Sequence, residues 1–333
     1  MSTTLIEALR QGLAGELERD ERVFVMGEDI GIGGSFHLTL GFRDRFGEER
    51  IRDTPVSEAG FVGLGVGAAI AGLRPVVDFQ YGDFLLCAAD QVIQQACKQR
   101  YMSGGQVRVP LVLHAPTGAS GRGAQHANSI ENFFFGVPGL FLAVPSTPYD
   151  AKGAMTTAIR MDDPVLVCSH KHLYGSKGRK VEGVAGVGDD VPAEPYEIPM
   201  TAVTRRPGKD VTIVGALLMV HRALKAADLL AADGIDAEVV DLRWLSPLDI
   251  DSVVESVRRT GRLLIVEEGP GRGGWSNAIA AGVADRALGS LDAPVRRLTG
   301  PDHPIPFAPH LEAAVIPSVE KIAAEARRLM GVG

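Results

Sequence analysis

Short β-rich runs alternate with helical patterns along most of this chain, and that alternation restricts the fold more than any other feature. "RVFVMGED" (22–29), "RPVVDFQY" (74–81), "VPLVLHAP" (109–116), "LFLAVPS" (140–146) and "PVLVCSH" (164–170) read as strands. Between the second and third, Leu85, Leu86, Ala89, Val92, Ile93, Ala96 and Cys97 recur at three- and four-residue spacing, the pattern of a helix. Strands separated by helices predict a parallel, doubly wound α/β sheet.

The periodicity lapses between 175 and 209, where "GSKGRKVEGVAGVGDDVPAEPYEIP" is rich in Gly, Pro and charge. It resumes with a strand, "DVTIVGA", and a helix, "LLMVHRALKAADLLAADG", closed by Gly234 at the position of a C-terminal cap. "DAEVVDLRWL", "GRLLIVEEG" and "PVRRLTG" supply further strands. The expected organisation is two α/β domains, 1–185 and 201–333, joined by a linker at 186–200, and 333 residues suffice for two cores.

Composition narrows the function. Apolar residues at 45% and charged residues at 23% are the balance of a soluble globular protein. A net charge of −7 without any basic run argues against nucleic acid. Cys87, Cys97 and Cys168 form no CxxC pair, so reduced thiols in the cytoplasm are expected. The N-terminal stretch reads as an amphipathic helix, with Ser2, Thr3 and Thr4 ahead of Glu7, rather than as a signal peptide. The uncharged apolar run after Glu58 stops at Arg74, too short to span a membrane.

"DTPVSEAGFVGLGVGAA" (53–69) holds one carboxylate, Glu58, followed only by small and apolar residues. A carboxylate there is expected to be buried, where ionisation is costly. Gly63, Gly65 and Gly67 give GxGxG, which lacks the spacing of a dinucleotide fingerprint, and no clear strand precedes them because Pro55 interrupts. They read as a packing helix with Gly63, Gly67 and Ala71 on one face and Glu58 in its first turn. On local grounds Glu58 is only a cap.

"GASGRGAQHANS" (118–129) follows a strand and carries His126, at the end of the strand where ligands bind in open α/β sheets. No HxxH or HxxxH spacing accompanies it, so zinc is not expected. "GPGRGGWSNAIAAGV" (269–283) fits either an anion cradle at a helix N-terminus or a tight strand-to-helix connection.

Taken in order, "GEDIGIGG", "DTPVSEAGFVGLGVGAAIAGLRPVVDF", "AADQVIQQACKQRYMSGG", "GASGRGAQH", "VPGL", "DAKG" and "LDAPVRRLTGPDHPIPFA" cover essentially the whole chain. Together they resemble the β subunit of the decarboxylating component of 2-oxo acid dehydrogenase complexes, whose members act on pyruvate, branched-chain 2-oxo acids or acetoin. The resemblance implies a pyrimidine-binding thiamine diphosphate domain followed by a transketolase-type C-terminal domain, in an α2β2 heterotetramer with the cofactor at the α/β interface. It implies Glu58 as the acid on the cofactor's pyrimidine nitrogen, a task suited to a carboxyl in an apolar pocket. Phe84 of "QYGDF" then lies against the pyrimidine ring, with Gln80 beside the cofactor. His126 matches the histidine that handles the substrate carboxylate, the acyl group or its transfer to lipoamide.

The family's magnesium and diphosphate motif, GDG followed some thirty residues on by Asn, is absent from this sequence. The resemblance therefore places Mg2+ and diphosphate on a separate α chain, without which this chain is inactive. The carbonyls of Ala158, Ile159, Met161 and Asp163 match a potassium site of some relatives. Asp292 matches a contact to the lipoyl acyltransferase core.

One segment departs from the family. In "HANSIENFFFGVPGL", Gly136 stands where a second histidine is usual, and Phe133 to Phe135 form an aromatic block, a change expected to bear on acyl chain or acceptor. Which 2-oxo acid is used stays open. Two other readings accompany the main one: a split transketolase-like enzyme moving a two-carbon unit, and a non-catalytic scaffold, against which Glu58 and His126 speak.

Overall fold

The computed structural model describes residues 3–175 and 190–331. Twelve strands lie among these residues: β1 (Val23–Gly27), β2 (Ile51–Asp53), β3 (Arg74–Asp78), β4 (Val112–Thr117), β5 (Phe141–Ala143), β6 (Val165–His170), β7 (Val203–Arg206), β8 (Val211–Gly215), β9 (Ala237–Asp241), β10 (Trp244–Ser246), β11 (Leu263–Pro270) and β12 (Arg296–Gly300). They form a seven-stranded sheet, β10-β5-β6-β4-β3-β1-β2, and a five-stranded sheet, β12-β11-β8-β9-β7. Every pairing is parallel except those of the edge strands β10 and β7. All residues of β1, β4, β6, β8 and β9 are buried, as parallel strands covered on both faces must be.

The five strands expected in the first half are present, as is the α/β class. The differences lie at sheet edges. β2 directly precedes the glycine-rich helix, although Pro55 argued against a strand there. "DAEVVDLRWL" is two strands rather than one. After β9 the chain turns at Arg243, a non-glycine residue with φ of 57°, and β10 crosses to the first sheet and pairs with β5. The Arg243 guanidinium steadies that turn by donating to the Thr201 carbonyl at 2.8 Å. β7 falls in the stretch where periodicity had lapsed.

Residues 176–189, the end of the first expected domain and the first four residues of the linker expected at 186–200, lie outside the described residues. From 190 to 200 the chain runs without helix or strand, fastened to the helix Pro148–Arg160 by a bond from the Ile198 amide to Thr157 Oγ1 at 3.0 Å. The same helix carries the N-terminal helix Leu5–Arg19, capped reciprocally by Thr4 and Glu7. Where the two cross, a Cβ at Gly12 would lie 2.8 Å from the Lys152 carbonyl, so only glycine permits the approach.

The segment read as one regular helix around Leu85–Cys97 winds in three ways. Gly82–Ala88 is a 3-10 turn, Gln91–Ala96 a π-helical turn and Cys97–Met102 α-helical. Four of the seven periodic residues, Leu85, Val92, Ala96 and Cys97, are buried, Ala89 and Ile93 are partly buried, and Leu86 is exposed. In the helix Glu58–Ile70 a Cβ at Gly65 would sit 3.2 Å from Val77 and 3.3 Å from Leu111, and one at Gly63 would sit 2.9 Å from Gln91 Oε1. Gly67 and Ala71, expected on the packed face, are exposed instead, because β3 and β4 lie under the opposite side. Among the described residues no helix is long and apolar enough to cross a membrane.

Candidate active site

Parallel strands deliver their following loops to one edge of the sheet, and the site residues lie there. Glu28 follows β1, Glu58 follows β2, Gln80 and Phe84 follow β3, His126 follows β4 and Lys171 follows β6. The loop after β1 is tied to the end of β2: Asp53 accepts from the Gly31 amide at 2.7 Å and from Arg43 at 2.6 Å. The Thr54 amide donates to the Gly27 carbonyl at 3.0 Å. This fixes the entry to the helix that begins at Glu58, whose carboxylate sits at the favourable end of the helix dipole.

Glu58 is half-buried rather than buried, with Ser57, Ala59, Gly60 and Leu64 exposed around it. A second carboxylate, Glu28, comes close to it. Burial, with the charges of Glu58 and Asp29, pushes the Glu28 carboxyl up. Glu28 Oε1 and Thr54 Oγ1 are buried polar atoms without a hydrogen-bond partner among the described residues, so this end of the sheet offers polar atoms to a ligand. "GEDIGIGG" contained Glu28, but nothing in its local sequence distinguished it from a turn residue.

Gln80 is held at both ends of its amide, accepting from Ser35 Oγ at 2.9 Å and donating to Asp29 at 3.0 Å. Phe84 and Tyr81 flank His126. The imidazole meets Tyr81 at 4.7 Å and 76°, and Phe84 at 5.5 Å and 84°, both edge-to-face. Phe84 and His126 are thus brought together from two loops, and each remains half-exposed.

Carboxylates hold the loop that bears His126. Asp83 Oδ1 accepts from the Asn128 amide at 3.0 Å and from its side chain at 2.6 Å. Glu268 accepts from Ala119 at 2.6 Å, and Glu312 accepts from Gly121 with both oxygens, at 2.8 and 3.1 Å. Glu268 and Glu312 belong to the second half of the chain, so both halves position His126. Beside the loop, a cleft of about 480 Å³ is lined by Gln125 and Asn128 on one side and by Arg272 and His303 on the other.

Around Glu268 the polar groups are deeply buried. His170 Nδ1 accepts from the His172 amide at 3.1 Å, so Nε2 carries the proton and donates to Glu268 at 2.8 Å. Burial alone would raise the Glu268 carboxyl, but His170 and the Ala119 amide outweigh it and hold it at about 2. Glu131, fully enclosed nearby and accepting from Thr117 at 2.7 Å, is pushed up by burial to about 7. Glu267 accepts from Asn132 at 2.7 Å and from the Ser276 amide at 3.1 Å. That last bond bears on the glycine-rich stretch at 269–274: the helix starting at Trp275 takes at its N-terminus the chain's own Glu267 carboxyl, whose pKa burial raises.

The remaining expected residues lie elsewhere. Arg74 donates to the carbonyls of Ile159 at 2.9 Å and Met161 at 2.8 Å, so a guanidinium already sits on two of the four carbonyls matched to potassium. Ala158 accepts the Met161 amide, and Asp163 pairs with Arg100. Among the described residues no three His, Cys, Asp or Glu side chains gather as a metal site. Asp292 is exposed and lies 3.5 Å from Arg262, beside Gly261 ahead of β11, the opposite end of that strand from Glu268. Of the aromatic block, Phe133 is exposed and Phe134 is buried, while Gly136 faces open space.

Residues 2–177 match the family described as "Transketolase, pyrimidine binding domain", and residues 200–322 match "Transketolase, C-terminal domain". The chain is 42% identical to the 2-oxoisovalerate dehydrogenase subunit beta of Bacillus subtilis, over 97% of each chain. It is 44% identical to the acetoin:2,6-dichlorophenolindophenol oxidoreductase subunit beta of Cupriavidus necator, covering 98% of this chain and 97% of that one. It is 43% identical to the pyruvate dehydrogenase E1 component subunit beta of Rickettsia bellii, covering 96% of this chain and 95% of that one. Among solved structures, a split gene transketolase in an inactive beta4 tetramer matches with a TM-score of 0.77, 22% identity, and coverage of 100% and 99%, a likeness of fold.

Proposed function

This chain belongs to the family of β subunits of thiamine diphosphate-dependent 2-oxo acid dehydrogenases, and from that membership we propose that it supplies the pyrimidine half of a decarboxylating active site. Its partner is an α subunit, in an α2β2 assembly that passes the acyl group to a lipoyl acyltransferase core. The observation that carries this reading is the meeting of Phe84 and His126, at 5.5 Å, at the same sheet edge as Glu58 and Gln80.

The residues fit the pyrimidine end of the cofactor: a carboxyl at a helix start, a half-exposed aromatic ring and two unpartnered polar atoms. Bound there, thiamine diphosphate supplies a carbon nucleophile and an electron sink for the loss of CO2. Glu58 holds a proton against the pyrimidine nitrogen and returns it. Glu28, whose carboxyl is raised by burial and by Glu58, keeps its own proton to higher pH and so limits the negative charge beside that group. Phe84 offers its ring as a stacking surface, and Gln80, clamped by Ser35 and Asp29, gives a fixed amide. His126, steadied by two ring edges, stands where a substrate carboxylate or an arriving acyl acceptor takes a hydrogen bond.

Mg2+ and the diphosphate are held by the α chain, since this sequence lacks the motif for them. A potassium ion at the 158–163 bend has to share the Ile159 and Met161 carbonyls with Arg74, using their second lone pairs. Asp292, far from the site on the opposite end of its sheet, is free to serve an acyltransferase contact. The apolar residues left exposed along the Glu58 helix, Leu64 and Ile70, favour coverage by another subunit.

The test is co-expression with an α subunit of this dehydrogenase family, followed by a screen of pyruvate, branched-chain 2-oxo acids, acetoin and ketose phosphates. CO2 release from a 2-oxo acid is expected. Consumption of ketose phosphate without CO2 would replace this reading with two-carbon transfer.

A further inference from the structure

Lys171 is buried to 3% exposure directly after β6, and its ammonium has no hydrogen-bond partner among the described residues. A buried cation without a partner is costly, and such groups are kept where their charge serves something nearby. Four carboxylates face it, and it forms a salt bridge with none of them. Three of those four also accept backbone amides of the His126 loop: Asp83 from Asn128, Glu268 from Ala119, and Glu312 from Gly121. The fourth, Glu131, accepts from Thr117 at the start of the same loop. On its remaining side the ammonium lies 5.5 Å from the centroid of the Tyr81 ring, and that ring meets His126 at 4.7 Å.

We propose that Lys171 is a positioning residue for His126: its buried charge is the shared counter-ion of the carboxylates that grip the His126 loop, and it anchors the Tyr81 ring that His126 rests on. This inference rests on the reading of His126 as a site residue. Asp83, Glu268 and Glu312 converge on one buried region, and like charges in a poorly screened interior repel strongly. Without the Lys171 charge, Glu268 keeps His170 on its other oxygen, but the repulsion among the three is less compensated and loosens the hold of Asp83 and Glu312 on the amides of Asn128 and Gly121. A neutral side chain of the same length fills the space but leaves that repulsion in place.

The charge is itself conditional. Burial draws the Lys171 pKa down to about 8, against the opposing pull of Asp83, Glu268, Glu131 and Glu312. The titratable groups facing it are Asp83 and Tyr81 after β3, Glu131 in the helix Glu131–Phe134, Glu268 in β11 and Glu312 in the helix Pro309–Val315. His126 lies beyond Tyr81, and His170 beside Glu268. As pH rises through about 8 the ammonium deprotonates, the carboxylates lose their counter-ion and the loop loosens.

The experiment compares wild type, Lys171→Met, Lys171→Arg and Asp83→Asn in the assembled α/β holoenzyme. Turnover is followed from pH 6 to 10, and amide exchange of residues 118–129 by mass spectrometry. Wild-type kcat is expected to fall above pH 8. Lys171→Arg, charged throughout, moves that limb up by about a unit or more. Lys171→Met lowers kcat at pH 7 by about tenfold or more, lacks the limb, and speeds exchange of the loop amides by about tenfold, the scale of one weakened charge-assisted bond. Asp83→Asn, which keeps the shape and an acceptor oxygen, shifts the limb to lower pH.

Wild-type kcat, pH limb and loop exchange in Lys171→Met would overturn the proposal. Should Lys171→Met not assemble, Asp83→Asn decides: a shifted limb supports the proposal and an unmoved limb overturns it. Failure of the underlying reading looks different, since the wild-type assembly then releases no CO2 from any 2-oxo acid. The exchange comparison between Lys171→Met and Lys171→Arg decides the inference in that case too.

Discussion

His170 and Glu268 meet at 2.8 Å across the boundary between the two sheets, with the imidazole on β6 and the carboxylate on β11. Both side chains are buried, and the histidine's orientation is set by the His172 amide on its other nitrogen. Replacing His170 with Phe takes one hydrogen bond from a buried carboxylate and leaves the Ala119 amide on its other oxygen. The expected cost is about 1–3 kcal/mol by chemical denaturation, the scale for taking a hydrogen-bond partner from a buried charged group. Adding Glu268→Gln to that variant removes the stranded charge and should recover part of the loss.

Glu131 carries a pH dependence of known sign. Its folded pKa of about 7 lies above the ordinary 4.5 because burial disfavours the charged form. Between those values the unfolded chain releases the proton and the folded chain keeps it, so stability declines as pH rises through this window and then levels off. Glu131→Gln can still accept from Thr117 and no longer has to ionise. It should be more stable than wild type at pH 8 by about 1–3 kcal/mol in denaturant unfolding, with the advantage vanishing near pH 4.5. A variant less stable than wild type at pH 8 contradicts the assigned burial cost.

Phe84 separates binding from chemistry. Phe84→Ala removes the ring offered to the pyrimidine and one of the two ring edges on His126. The apparent dissociation constant for thiamine diphosphate in the α/β assembly should rise about tenfold or more, from lost contact area and stacking. Phe84→Leu should restore part of the affinity. Titration of cofactor-dependent CO2 release measures both, and an unchanged cofactor constant in Phe84→Ala would exclude it from the pocket.

What the sequence discloses here follows from how local each interaction is. Buried parallel strands stand out by their apolar runs, Val23–Met26 in β1 and Val165–Cys168 in β6. β2, β7 and β10 do not, since three- or four-residue edge strands carry little pattern and β10 is stabilised by pairing with a distant β5. The winding of Gln91–Ala96 escapes notice because a π-turn preserves the inward face while changing the turn. Glu58, Phe84 and His126 are recognisable only through the order of motifs around them. Glu28, Lys171, Glu268 and Glu312 had no such signal. Glu268 acts on Ala119 across 149 residues and Glu312 on Gly121 across 191, separations that no local pattern encodes.

The role of Glu58 is tested most directly by deuterium exchange at the thiazolium C2 of thiamine diphosphate bound to the α/β assembly, comparing wild type with Glu58→Gln. Removal of the acid should slow that exchange by at least about 100-fold, the range of general acid–base contributions, while the cofactor stays bound and the assembly intact. Exchange at the wild-type rate with bound cofactor would contradict the assignment of Glu58 as the proton-holding group.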